Sequence, residues 1–238
     1  MAWTEIDGDQ SNILVKRWDP AANNGAGAWL LLGDPFQGLS VSTSNKADSA
    51  IITSGSEGWI VAWLDTGSGA ANVYAKQWKY NGAAWESLGS SAAGRGISNS
   101  ATSVSDLALT TNGNKVSVAW IANTGQVYVK ELANGVWSEL AGSATGGGVS
   151  NTPGANRSPT LAYANGDLFV AWQTNVRFGE SEVYAKRYRA SLAKWLTAGD
   201  GSDTGGGLSN SKGYAFSPRL VAQNNQLFLH KATIQLGI

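Results

Sequence analysis

Leu168-Phe169-Val170-Ala171-Trp172 and, shortly after it, Glu182-Val183-Tyr184-Ala185-Lys186-Arg187 are two apolar, β-branched and aromatic runs that recur along the chain. Val-Ala-Trp ends at Trp63, Trp120 and Trp172, and a degenerate copy, Met1-Ala2-Trp3, opens the sequence, so the spacings are 60, 57 and 52 residues. Leu227-Phe228-Leu229-His230-Lys231 repeats the pattern once more, with lysine where the tryptophan would stand. The second run recurs as Val73-Tyr74-Ala75-Lys76 and Val127-Tyr128-Val129-Lys130, with a shorter echo at Val15-Lys16. Self-similarity at a period of this length marks a fold built from repeated supersecondary units.

Working outward, each period carries two further segments. A tryptophan (Trp29, Trp85, Trp137, Trp195) stands shortly before a glycine (Gly33, Gly89, Gly142, Gly199). A glycine-rich loop (Gly38-Leu39-Ser40, Gly96-Ile97-Ser98, Gly148-Val149-Ser150, Gly207-Leu208-Ser209) then leads to a last apolar run. Those runs are Ser49-Ala50-Ile51-Ile52, Leu107-Ala108-Leu109, Ser158-Pro159-Thr160-Leu161 and Ser217-Pro218-Arg219-Leu220. Four short runs rich in Val, Ile, Tyr, Trp and Thr per period, parted by Gly, Asn, Ser and Asp, predict four antiparallel strands. Asn81-Gly82, Asn112-Gly113, Asn134-Gly135 and Asn165-Gly166 fit tight hairpin turns. No sustained helical period competes. The expected fold is therefore an all-β, single-domain β-propeller over residues 1–238, made of four-stranded antiparallel blades. The N-terminus supplies third and fourth strands and the C-terminus first and second ones, which favours four blades with a split closing blade. The extra copy at Met1-Ala2-Trp3 leaves five blades, or a larger ring assembled from several chains, as alternatives.

The order of these motifs, Ser-Pro-x-Leu-Ala, Val-Ala-Trp, Glu-Val-Tyr-Ala-Lys-Arg, Trp and Gly-Gly-Gly-Val-Ser-Asn, resembles the repeats of bacterial extracellular and surface β-propellers over nearly the whole chain. The resemblance implies a propeller blade and an extracellular or cell-surface setting. It brings no catalytic motif with it. Two departures stand out: Lys231 replaces the last tryptophan, and Val41 stands where other loops have Asn99, Asn151 and Asn210.

Composition narrows the function. Lys+Arg 17 against Asp+Glu 17 gives a formal net charge of +0, which opposes electrostatic capture of nucleic acid or anionic membrane. No apolar run is long enough to span a bilayer and no signal peptide opens the chain, so membrane insertion is not expected. With no Cys and one His, neither a thiolate nucleophile nor a zinc constellation can be written, and no cofactor or metal is expected. His230, on an apolar strand, has no nucleophile-elbow sequence to serve. Asp7-Gly8-Asp9 with Asn12 reads as a solvated turn, lacking the full pattern of a calcium loop.

The eleven tryptophans are the dominant feature. Trp63, Trp120 and Trp172 are expected to fill the core between blades. The repeated lysines, Lys16, Lys76, Lys130 and Lys186, are expected to point to solvent and block strand pairing at an edge. For ligand binding the candidates are Trp85, Trp137 and Trp195 as stacking platforms and Asn99, Asn151 and Asn210 as hydrogen-bonding groups. A neutral Gly, Asn, Ser and Trp-rich surface suits a glycan held at repeated sites. Near-identical repeats without a unique polar cluster point to a non-catalytic, lectin-like binding module and not an enzyme. A structural or adhesin scaffold segment is the alternative, and a propeller-fold glycoside hydrolase the second alternative. The last would need two carboxylates from Asp7, Asp9, Asp65, Asp106, Glu180 and Glu182.

Overall fold

The computed structural model describes residues 1–33, 38–40, 46–82, 84–113, 115–152, 155–177, 180–211 and 213–234, so Val41 lies outside the described residues. They form two compact units, Met1–Val104 and Ser105–Ile238. In the first unit β1 (Ala2–Asp7), β2 (Gln10–Asp19) and β3 (Ala28–Leu31) make a three-stranded antiparallel sheet. β4 (Ala47–Ser54), β5 (Gly58–Asp65), β6 (Asn72–Lys79) and β7 (Trp85–Ser87) make a four-stranded one. In the second unit β8 (Ser105–Asn112), β9 (Lys115–Ile121), β10 (Val127–Ala133) and β11 (Val136–Glu139) repeat that sheet. So do β12 (Asn156–Ala164), β13 (Asp167–Arg177), β14 (Glu180–Arg189) and β15 (Lys194–Thr197). β16 (Tyr214–Gln223) and β17 (Gln226–Ile234) form a hairpin that meets β14 through one parallel bridge, Ser181 to Tyr214. Among the described residues there is no α-helix, hence none long and apolar enough to cross a membrane.

Each sequence motif falls on the strand expected of it. Val-Ala-Trp lies on the second strands β5, β9 and β13, the Val-Tyr-x-Lys run on the third strands β6, β10 and β14, and Trp85, Trp137 and Trp195 on the fourth. Trp63, Trp120 and Trp172 are 0%, 1% and 0% exposed and face Tyr74, Tyr128 and Tyr184 at ring separations of 6.1, 6.1 and 6.3 Å. The extra Met1-Ala2-Trp3 copy is a real second strand, since β1 pairs with β2 along its length.

Two backbone devices escape periodicity reasoning. Every first strand bulges, at the register shifts 48/51, 105/107, 157/160 and 216/219, and the bulged residue (Ser49, Asp106, Ser158, Ser217) has positive φ. The bulge explains how Pro159 and Pro218 sit inside strands, because the extra residue takes the missing N–H out of the ladder. The second device fastens the glycine-rich loop to the third strand. Ile97, Val149 and Leu208 donate their N–H to the carbonyls of Val73, Val127 and Val183 at 2.7, 2.9 and 2.8 Å. Any Cβ on Gly96, Gly148 or Gly207 would overlap those same carbonyl oxygens, and all three have φ near +59°, so only glycine fits.

The repeated lysines correct the expectation placed on them. They stand on third strands, hydrogen-bonded on both sides, and not on an edge. Burial pushes the ammonium groups of Lys76 and Lys130 below the usual lysine range, opposed at Lys130 by Glu139, and Lys186 Nζ donates to the Val149 carbonyl at 3.1 Å.

Charged side chains enter the second unit in two matched places. Lys115 on β9 reaches Glu131 on β10 at 2.9 Å, and the equivalent residues Asp167 on β13 and Arg187 on β14 form the reversed pair at 3.5 Å, joined by Arg189 at 3.0 Å. The acid is the buried member each time, 7% and 9% side-chain exposure. Tyr163 on β12 donates to Glu131 at 2.6 Å and meets Ser117 Oγ at 2.7 Å. Burial, then the bond to Glu131, raises the Tyr163 phenol above its ordinary 10.0. A raised folded-state value means that the stability it contributes is complete below pH 10 and declines as pH rises further. Tyr163→Phe should therefore flatten the alkaline limb of a thermal-unfolding profile above pH 10; an unchanged slope would show that the phenol does not couple to folding.

Candidate functional site

One side-chain arrangement recurs at every loop and leads to the site. The residue just before the Val-Tyr pair of each third-strand motif, Asn72, Gln126 or Glu182, turns its side-chain oxygen toward the glycine-rich loop. Ser98 Oγ donates to Asn72 at 2.6 Å and the Ser100 N–H at 2.8 Å. Ser150 Oγ donates to Gln126 at 2.8 Å and the Thr152 N–H at 3.1 Å. Ser209 Oγ donates to Glu182, and the Ser211 N–H approaches both Glu182 oxygens at 3.0 and 3.1 Å. In the first sheet Asn12 plays the same part, accepting from the Ile13 and Ser40 N–H groups at 2.8 and 2.9 Å. Asn12 is thus tied to its loop, and Asp7 and Asp9 lie exposed at the neighbouring hairpin. Three of the four acceptors are neutral amides, and only Glu182 is an acid.

Around Glu182 the repeats diverge further. Asp203 occupies a loop position filled by Ala92 and Ala144 in the other units, and Glu180 lies one pleat before Glu182 on β14. These acids border two adjoining cavities in the second unit. One, of about 450 Å³, is lined by Val176, Glu180, Glu182, Gly205, Gly206, Asn210 and Ser211. The other, of about 470 Å³, shares Val176 and Gly205 and adds Thr152, Thr174, Asn175, Tyr184, Asp203 and Thr204. Side chains two apart on a strand share a face, so Glu180 and Glu182 look into the same cleft while Ser181 between them is fully buried and donates to the Ala215 carbonyl at 2.9 Å. Asp203 lies 3.9 Å from Lys186 Nζ. Tyr184 donates its hydroxyl to the Gly205 carbonyl; burial, with the Glu182 charge adding to it, raises this phenol, so it remains a donor at neutral pH.

Of the six ligand-binding candidates, Asn210 lines the cleft. Asn99, Asn151 and Asn210 are exposed, with φ of 48°, 44° and 40°, and each donates its N–H four residues back to end a single helical turn. The side chains of Asn151 and Asn210 fold over Gly147 and Gly206, which have no room for a Cβ. Trp85 and Trp195 are half-buried and donate their indole N–H to the carbonyls of Leu32 and Leu140 at 2.9 and 2.6 Å, and Trp137 is also half-buried. The remaining carboxylates serve the backbone. Asp65 is fully buried and accepts from Ser40 Oγ at 2.7 Å and the Gly67 N–H at 2.7 Å, and Asp106 accepts the Ser158 N–H at 3.0 Å. His230 is exposed on β17 opposite Arg219. Among the described residues no group of three or more His, Asp or Glu could hold a metal ion.

No family model matches the sequence, and no curated protein is similar to it. Solved structures are similar in fold. The α-L-arabinanase of Penicillium chrysogenum, complexed with arabinobiose, aligns over 98% of this chain and 71% of its own with TM-score 0.52 and 12% identity. A thermostable family-43 glycoside hydrolase aligns over 98% and 83% with TM-score 0.48 and 9% identity. The catalytic domain of the Coprinopsis cinerea GH62 α-L-arabinofuranosidase aligns over 93% and 73% with TM-score 0.47 and 10% identity. At such identities the likeness is one of fold, and the arabinanase carries it: the chain is an all-β propeller of four-stranded antiparallel blades. Against the expectation of a non-catalytic, lectin-like module, the solved propeller whose fold this chain shares is an α-L-arabinanase, an enzyme. Glu180 and Glu182 lie two residues apart on β14, and Asp203 comes near them only in the fold, lining the adjoining cavity, so the departure from repeat symmetry does not show as a cluster in the sequence.

Proposed function

We propose that the chain is a glycoside hydrolase whose active cleft is the carboxylate-lined cavity of the second unit. The observation that supports this reading is the local loss of repeat symmetry. Catalysis requires an asymmetric constellation, and the acids that break the repeat border two adjoining cavities, Glu180 and Glu182 the one and Asp203 the other. A strand rise of about 3.4 Å per residue sets the Cα atoms of Glu180 and Glu182 about 7 Å apart. Their carboxyl groups can then adopt the spacings, about 5 Å or about 6.5–9.5 Å, that two-carboxylate glycoside hydrolysis uses. Glu182, gripped by Ser209 and Ser211, is the fixed charge facing the developing oxocarbenium ion. Glu180 gives its proton to the leaving oxygen as the glycosidic bond breaks; water then adds to the oxocarbenium carbon and returns a proton to Glu180, and Asn210 at the rim hydrogen-bonds a sugar hydroxyl.

The test is hydrolysis of a panel of 4-nitrophenyl glycosides, arabinofuranosides included, by the wild type, Glu180→Gln and Glu182→Gln. Each substitution should reduce turnover by about 10²–10⁴-fold. Glu182→Gln is a clean probe, because Gln126 already holds the same loop contact in the preceding sheet; its melting temperature should stay near that of the wild type. Absence of turnover across the panel, or turnover indifferent to both substitutions, rejects the assignment.

A further inference from the structure

Asn156 is a buried amide where the rest of the chain is apolar. The place it holds, two residues before the bulge of a first strand, is taken elsewhere by Ala47, Val104 and Ala215. A buried amide is kept by what it bonds. Asn156 Nδ2 donates to the Gly125 carbonyl at 2.6 Å and to Ser150 Oγ at 3.2 Å. Because a carbonyl only accepts, this contact fixes which way the amide is turned. Its Oδ1 then faces Thr152 and Thr174, whose hydroxyls both donate to it, at 3.0 and 2.7 Å.

Those two threonines line the larger cavity together with Tyr184 and Asp203. The Tyr184 hydroxyl has given its proton to the Gly205 carbonyl. A hydroxyl carries one proton, so Thr152, Thr174 and Tyr184 keep only lone pairs for a ligand, and the Asp203 carboxylate likewise only accepts. Asn175, Val176 and Thr204 stand at the exposed rim. The inner lining is therefore an acceptor surface.

We infer that Asn156 is a positioning residue that sets the larger cavity to receive the hydroxyl protons of a neutral sugar. This rests on the proposed hydrolase reading and specifies the substrate: a glycan whose hydroxyls are free. A phosphate or uronate meets lone pairs and the Asp203 charge, and an O-methylated or O-acylated sugar has no proton to give. A cationic ligand is disfavoured because Lys186 Nζ already stands 3.9 Å from Asp203. With alanine in place of Asn156, both threonine hydroxyls would be free to turn, and the lining would meet donors and acceptors alike.

The experiment is calorimetric titration of the full chain with 4-nitrophenyl α-L-arabinofuranoside and with analogues carrying fluorine in place of each hydroxyl in turn. All proteins carry Glu180→Gln so that the parent is not consumed. Fluorine cannot donate, so at least one analogue should bind about tenfold more weakly than the parent. Adding Asn156→Ala should shrink that ratio to about twofold, as the freed threonine hydroxyls turn to meet the ligand. Thr152→Val, which leaves Asn156 and Thr174 in place, should also shrink it by weakening the parent alone, and this variant decides the matter if Asn156→Ala does not fold. A merely structural Asn156 would weaken parent and analogues equally. That result, equal binding of the parent and every analogue without Asn156→Ala, or no binding of the parent overturns the inference. The two proposals fail separately. Wild-type turnover that depends on Glu180 and Glu182 with a flat ratio removes the acceptor lining alone, and a steep ratio without turnover keeps the lining and removes the hydrolase.

Discussion

Trp63→Ala should cost the fold about 3–5 kcal/mol and lower the melting temperature on the order of 10 °C. The indole is 0% exposed and lies in a cluster with Ile13, Val15, Leu39, Val61 and Tyr74. Its removal takes away the stack on Tyr74, at 6.1 Å and 24° between planes, and leaves a void bounded by strands that cannot collapse without breaking ladder hydrogen bonds. It also withdraws a donor from Asp65, although Ser40 and Gly67 continue to satisfy that buried carboxylate. Trp63→Phe keeps most of the ring and should recover more than half of the loss. Equal melting temperatures for the two variants would show that ring packing is not what the tryptophan contributes.

Ser143→Ala should approach the same cost by a different route. Ser143 is 0% exposed, accepts the Leu140 N–H at 2.8 Å and donates to the Val129 carbonyl at 2.7 Å, so one hydroxyl satisfies two backbone groups where the fourth strand turns back toward the third. Removing it strands both groups away from water, at about 1–3 kcal/mol each. Ser91 makes the identical pair of contacts, to the Leu88 N–H at 3.0 Å and the Ala75 carbonyl at 2.6 Å, and Ser91→Ala should match it. Denaturant titration measures both. A loss under 1 kcal/mol in either variant would mean that solvent reaches the freed groups.

Strands and their order were legible in the sequence because a period-2 apolar run copied several times carries its own confirmation. The hairpin from Asn165-Gly166 was equally legible, both residues having positive φ. The turn at Asn224-Asn225, also with two positive φ values, carries no Asn-Gly signal. The bulges were hidden because a serine before a proline does not announce an extra residue in a strand. The candidate site was partly visible. Glu180 and Glu182 stand among the carboxylates that the glycoside-hydrolase alternative offers and Asn210 among the glycan-binding groups, whereas Asp203 is in neither set. The signal existed: aligning the loops sets Asp203 against Ala92 and Ala144, and aligning the third strands sets Glu182 against Asn72 and Gln126. Searching for what the repeats share directs attention to the scaffold, whereas a site unique to one unit is written in what they do not share.

The reversed ion pairs give the chain a barrier against scrambling of its own repeats. Segments this similar can exchange places by recombination between copies of one gene region. A unit that took its second strand from the Lys115 segment and its third from the Arg187 segment would oppose lysine to arginine. The reciprocal product would bring Asp167 against Glu131. Like charges confined in a half-buried space disfavour both hybrids. Two neighbouring sheets with the same backbone are therefore not interchangeable parts, and the order of the units, including the one that carries the acidic cleft, is protected by four side chains.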